Sequence, residues 1–299
     1  MYYLVYGFFY LLSLIPFPVL YLFSDFVFLI LFYLVGYRKK VVLDNLKHSF
    51  PEKPEKELLS IRRGFYRNFI DTWLEMIKIL SISKETAHKR ITHNYEVIEA
   101  LYKTGRSVQT YGGHFMNWEY VTVSLPPNQP YPALAIYIPL SNAILERLLL
   151  KLRSRFGMVM LKAGHMKKEM EAWKERQYIL ALGADQSPGD PASAVWLWFM
   201  NRPAGFVQSP WKQACTHNHP TIFYTITRKK RGYYHFEAEI FEANPKNFTE
   251  AEMAQRYARR MEEEIRRSPD NYLWTHRRWK HAWKPEYEQL WVDKLPMPK

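Results

Sequence analysis

Residues 107–120 read SVQTYGGHFMNWEY: a short strand-like run, two glycines, then a histidine with a glutamate five residues further on. Val108, Thr110 and Tyr111 favour extended backbone, and Gly112-Gly113 marks a tight turn. Five residues of regular helix turn the chain through about 500°, which would leave His114 and Glu119 roughly 140° apart. The spacing therefore predicts a histidine in a turn and a glutamate just inside a helix, at the edge of a sheet.

Outward from this stretch, the chain alternates strand and helix. SVQTY, ALAIY, MVML, YILAL, TIFYTI and YYHFEAEI read as strands. Residues 143–156, 167–175 and 250–267 read as helices, the last of them charged and amphipathic. This alternation predicts an α/β fold with a central mixed sheet flanked by helices. Upstream, Pro51 and Pro54 separate two helical segments. In the second, Ile61, Phe65, Phe69, Trp73, Ile77 and Leu80 form an apolar stripe, expected to face the core.

The first 37 residues differ from the rest. Asp25 is their only charged side chain, and the basic triplet Arg38-Lys39-Lys40 follows them. A spanning helix needs about 20 apolar residues, and this segment supplies more. Pro16 and Pro18 predict one kinked span or two short helices instead of a single straight one. A cleaved signal peptide fits poorly, because no basic residues precede the apolar run and no small-residue cleavage site follows it. The expected organisation is a membrane anchor over residues 1–37 and one domain over 38–299. The triplet places that domain on the cytoplasmic side.

The 299-residue chain carries 42 lysines and arginines against 29 aspartates and glutamates, a net charge of +13 that points to anionic partners. One cysteine, Cys215, excludes an intrachain disulfide. No helix-turn-helix, OB or RRM signature accompanies the basic charge, so nucleic acid is not an expected partner. A non-catalytic, membrane-anchored lipid- or nucleic-acid-binding protein stands as the alternative from another class.

Four clusters are able to carry chemistry. The first is the pair His114 and Glu119: a general base near neutral pH, and a carboxylate that would fix its tautomer. Its bland counterpart is a loop histidine satisfied by backbone beside a surface glutamate. The second is GADQSPGD, residues 183–190, acidic and amide groups after an apolar strand, or simply a turn. The third, LKLRSRFGM, places Lys151, Arg153 and Arg155 at a helix end, for the helix dipole or for an anion. The fourth, PDNYLWTHRRWK, interleaves aromatics with His276, Arg277, Arg278 and Lys280, which suits an anionic lipid interface. Neither metal nor cofactor is expected, since His114 and Glu119 lack the ligand spacing of a zinc helix and no cysteine pair exists.

Taken together, GGHFMNWE, RSRFG, ADQSP and PDNYLWTHRRWK resemble the motifs of the lipid A biosynthesis acyltransferases, the late lauroyl/myristoyl transferases, over roughly residues 38–280. The H-x₄-D/E element alone is shared with a wider superfamily of glycerolipid acyltransferases, whose α/β fold the resemblance implies. The resemblance implies an enzyme of the bacterial inner membrane that moves a fatty acyl chain from acyl carrier protein, or another acyl thioester, to a hydroxyl of an anionic glycolipid. In that frame His114 is the general base and Glu119 its orienting partner. Arg153 falls on an essential arginine and Asp185 on a second acidic position. Asn117, Gln186, Arg155, His276, Arg277 and Arg278 are the candidate substrate-binding residues. Lysophospholipids and aminolipids remain alternative acceptors, because acceptor choice depends on pocket shape.

Overall fold

The structure, a computed structural model, describes residues 1–298. It opens with two apolar helices, α1 (Tyr2–Leu14) and α2 (Phe17–Leu29), the second running on into a π-helical turn, Ile30–Val35. Pro16 separates them at the N-cap of α2 and Pro18 sits in its first turn, where a missing N–H costs no helix bond. The Lys78 ammonium clasps the corner by donating to the carbonyls of Ser13 and Ile15 at 2.5 and 2.8 Å. Phe17–Val35, 19 residues, is long and apolar enough to cross a membrane, whereas α1 is too short.

Helix α3 (Lys39–Ser49) follows, then α4 (Glu55–Lys78), which starts after Pro54 with Glu55 and Glu57 in its first turn. The expected stripe holds except at Trp73: Ile61, Phe65, Phe69 and Leu80 are buried and Ile77 is half-buried, but Trp73 is 43% exposed. Strict steps of four advance about 40° beyond a full turn each time, so such a row walks off the inner face. Further along α4 the inner face carries Thr72 and Glu75, both fully buried.

Beyond α4, α5 (Lys84–Arg90), β1 (Ile91–Asn94), α6 (Glu96–Tyr102) and β2 (Val108–Gly112) lead to the His114 loop, and α7 (Val121–Ser124) lies after it. The chain continues through β3 (Ala133–Tyr137), α8 (Ala143–Arg153), β4 (Val159–Lys162), the single turn α9 (Met166–Glu169) and β5 (Ile179–Gly183). The helix expected over 143–156 thus stops at Arg153, and the one expected over 167–175 breaks into α9 and a 3-10 turn, Met170–Trp173. A hairpin, β6 (Ala194–Phe199) and β7 (Arg202–Val207), precedes α10 (Ser209–His217), β8 (Thr221–Lys230), β9 (Tyr233–Glu242) and α11 (Glu250–Arg267).

Seven strands form one mixed sheet in the order β1-β9-β8-β2-β5-β3-β4. Strands β8, β2, β5, β3 and β4 run parallel, while β9 and β1 run the other way. Val108 to Tyr111 of the central strand β2 are all buried, as a strand covered on both faces must be. Helix α11 begins with a capping box between Thr249 and Glu252. It lays Met253, Tyr257, Met261 and Ile265 into the core, and its Tyr257 hydroxyl donates to the carbonyl of Gly112 at 2.9 Å.

The apolar segment is fastened to this body. Ser24 of α2 donates to the buried Asp71 of α4 at 2.6 Å, and Arg231 bridges Asp71 and Asp25 at 2.7 and 2.9 Å. Arg228 completes the cluster on Asp71 at 2.7 Å.

Candidate active site

Strands β2 and β5 are parallel neighbours, and their last residues, Gly112 and Gly183, are register partners. Two residues beyond each glycine stand His114 and Asp185, so the topology brings them together at the carboxyl ends of adjacent strands, where open α/β sheets place their sites. One Asp185 oxygen lies 2.6 Å from His114 Nδ1, and the other accepts the backbone N–H of His114 at 3.0 Å. Gly183 makes the fit possible, because a Cβ there would stand 2.8 Å from the imidazole Cε1.

The partner of His114 is therefore Asp185 and not Glu119, which corrects the dyad expected from spacing. Glu119 does sit inside a short helix, the 3-10 turn Trp118–Tyr120. There it is buried and turned toward α8, where Arg153 holds it by two bonds: Nε to Oε2 at 2.9 Å and Nη2 to Oε1 at 2.5 Å. Such a fork-to-fork pair is geometrically specific as well as strong. Among the described residues nothing bonds the remaining Arg153 Nη1, and the side chain is 22% exposed.

Electrostatics follow from this pairing. Burial alone would lower the His114 pKa, but the charge and hydrogen bond of Asp185 outweigh it, so the imidazole titrates above its ordinary 6.5. Burial would raise Asp185, yet the imidazole and the backbone N–H hold it below the usual carboxylate range. Burial likewise opposes the Arg153 charge, and Glu119 more than restores it. With Nδ1–H donating to Asp185, Nε2 is the unprotonated nitrogen, and the Gln186 amide N–H, 3.3 Å away, is placed to donate to it. The Trp118 ring flanks the imidazole at 5.5 Å.

The model of the family described as bacterial lipid A biosynthesis acyltransferase matches residues 1–281. The chain belongs to that family. No individually curated protein matches it. Acyl transfer in lipid A biosynthesis is the activity the family's description names.

Other residues expected at an acyltransferase site fall elsewhere. Asn117 is fully buried and donates to Glu75 at 3.0 Å, so it lies behind the loop and not on a substrate surface. Arg155 donates to the carbonyls of Ile79 and Ile82 at 2.5 and 2.7 Å, away from His114. The segment WTHRRWK is mostly internal. His276 Nε2 accepts the backbone N–H of Ser187 at 3.0 Å and so fixes the loop that carries Asp185. Burial and the nearby cations Arg278, His114 and Lys280 outweigh Asp185 and push the His276 pKa down to about 4, which keeps it neutral and able to accept. Arg278 is 2% exposed and donates to the Gly205 carbonyl at 2.9 Å. Of the segment's four basic groups, Arg277 and Lys280 are exposed.

Among the described residues no group of three or more His, Cys, Asp or Glu converges as metal ligands would. A hollow of about 690 Å³ beside Lys167, Lys168, Glu171 and Ala172 is not lined by His114 or Asp185.

Proposed function

We propose that the protein transfers a fatty acyl chain from an acyl thioester, carried by acyl carrier protein, to a hydroxyl of a lipid A precursor. The observation that carries this reading is the Asp185–His114 pair with an unprotonated Nε2, in a chain of the lipid A acyltransferase family. His114 Nε2 takes the hydroxyl proton as the alkoxide oxygen attacks the thioester carbonyl. The tetrahedral intermediate collapses with cleavage of the C–S bond, and the departing thiolate takes the proton from the imidazolium. Asp185 stabilises that imidazolium and fixes the tautomer. Gln186, beside Nε2, donates to the acceptor oxygen. Arg153, through its free Nη1, is the candidate to meet a phosphate or the oxyanion.

Residues 1–37 serve as the anchor and 38–299 as the acyltransferase domain, at the cytoplasmic face of the inner membrane. Two features support a lipid substrate. Rings run from the site toward the apolar segment: His114 to Trp118 at 5.5 Å, Trp118 to Trp73 at 6.2 Å, Trp73 to Phe69 at 6.0 Å and Phe69 to Tyr37 at 6.2 Å. A net charge of +13 suits both a phosphorylated glycolipid and an acidic carrier protein.

The test is mass spectrometry of lipids after incubating the full-length protein with an acyl-carrier-protein thioester and a phosphorylated disaccharide lipid. A mass gain of one acyl chain on the glycolipid is expected. A gain on a lysophospholipid alone would overturn the acceptor, and no gain on any lipid would overturn the reaction.

A further inference from the structure

Glu75 lies behind the His114 loop, fully buried on the inner face of α4, and pairs with no lysine or arginine among the described residues. Three donors converge on it from three elements. Tyr21 of α2 donates to Oε1 at 2.7 Å, Tyr234 of β9 to Oε2 at 2.7 Å, and Asn117 of the site loop to Oε2 at 3.0 Å. One turn earlier on α4, the Thr72 hydroxyl points at Met116 Sδ, 3.3 Å away. A carboxylate without a counter-charge is costly to bury, and an apolar side chain would fill such a place at lower cost. What a carboxylate does here and a leucine would not is grip the side-chain amide of Asn117.

Asn117 immediately precedes the 3-10 turn Trp118–Tyr120, and its side chain does not cap that turn. Its carbonyl accepts the Tyr120 N–H at 3.2 Å. Fixing Asn117 therefore fixes Trp118, which flanks the His114 ring, and Glu119, which holds Arg153. We propose that Glu75 is a positioning residue for acyl transfer: through Asn117 it holds the loop between His114 and Glu119 in register with the dyad, and through Tyr21 it ties that loop to the apolar helix α2. The inference rests on the acyltransferase reading for its kinetic consequence, but its structural consequence stands apart from it.

The experiment compares full-length wild type, Glu75→Gln, Asn117→Ala and the double variant by steady-state kinetics and by amide hydrogen exchange. Glu75→Gln keeps the volume but places an NH₂ where donors converge. The expected result is a kcat lower by about 10- to 100-fold with KM values near wild type, as loss of alignment predicts. Exchange should rise over residues 113–121 and stay unchanged in β2 and β5. The double variant should lose no more than the worse single one, because both act through one bond. A purely structural role would instead give additive losses and faster exchange throughout. Additive losses, a kcat for folded Glu75→Gln within about twofold of wild type, or unaltered exchange over 113–121 would each overturn the proposal. If Glu75→Gln does not fold, Asn117→Ala and Tyr21→Phe carry the same readouts. A wild type inert toward every acceptor would sink the acyl-transfer reading, while the exchange comparison would still decide whether Glu75 holds the loop.

Discussion

Asp185 grips His114 twice, with one carboxylate oxygen 2.6 Å from the ring Nδ1 and the other accepting the backbone N–H at 3.0 Å. The double contact fixes both the direction of the ring and the position of the residue that bears it. In its proposed role as general base His114 must be neutral to accept a proton, so turnover should climb as pH rises through its pKa. That value lies above 6.5, because Asp185 outweighs burial. Replacing Asp185 by Asn removes the largest influence that opposes burial, so the acid limb of the kcat profile should move to lower pH. Turnover should fall by about 10²- to 10⁴-fold from the lost imidazolium stabilisation. The same linkage acts on stability: the contribution of His114 is complete below pH 6.5 and fades as pH rises through the raised folded value. That of Asp185 is complete above its ordinary 3.8 and fades as pH falls through its depressed folded value. A pH–rate profile with an unmoved limb in Asp185→Asn would contradict the pairing.

Gly183→Ala should separate activity from folding. Its methyl would arrive 2.8 Å from His114 Cε1, a distance that forces the ring aside. A shift of about 1 Å in a reacting group costs on the order of 10²-fold in rate. The residue sits at a strand end, so the thermal melt should change little while kcat falls. A kcat equal to wild type would show that the ring has room to spare.

For Glu119, the contact with Arg153 changes what substitution should do. Glu119→Gln leaves a mostly buried guanidinium without its counter-charge, which costs roughly 3–5 kcal/mol when a buried pair is broken from one side. Replacing both partners, as in Glu119→Gln with Arg153→Met, should recover much of the loss of stability but not of activity. Chemical denaturation of the two single variants and the double one reads this directly. Full stability in the single variant would mean that the pair contributes nothing.

Asp71 supplies a test of how the apolar segment is held. It is 1% exposed and serves Ser24, Arg228 and Arg231 together. Asp71→Asn should destabilise the protein by roughly 3–5 kcal/mol, since two arginines lose a buried partner. Asp25→Asn, at the half-exposed end of the same cluster, should cost under about 1 kcal/mol. Equal losses in the two variants would contradict this ranking.

Much of the sheet was legible because its strands are short apolar runs bounded by turn residues. ALAIY coincides with β3, and the stretch 250–267 coincides with α11, whose start is announced by Thr249 and Glu252. The β6–β7 hairpin was not, because its two-residue turn is Met200-Asn201 with φ of 49° and 65°. Turns of that shape normally advertise themselves with Asn-Gly or Asp-Gly, and a methionine in the first place sends no such signal. Sequence distance also misdirected the choice of partner for His114. Glu119 is five residues away along the chain, whereas Asp185 is 71 residues and three strand connections away but one strand over. Glu75 escaped notice for a related reason: a four-residue step drew attention to Trp73, and the helix turned a carboxylate inward instead.

The bonds from Tyr21 and Ser24 to Glu75 and Asp71 build the apolar segment into the folded body. In the proposed anchoring role a foreign hydrophobic helix could stand in, yet such a chimaera would strip each of two interior carboxylates of one donor. Inactivity of such a graft would therefore report a loosened interior, and delivery to the membrane would have to be measured separately before any blame fell on it.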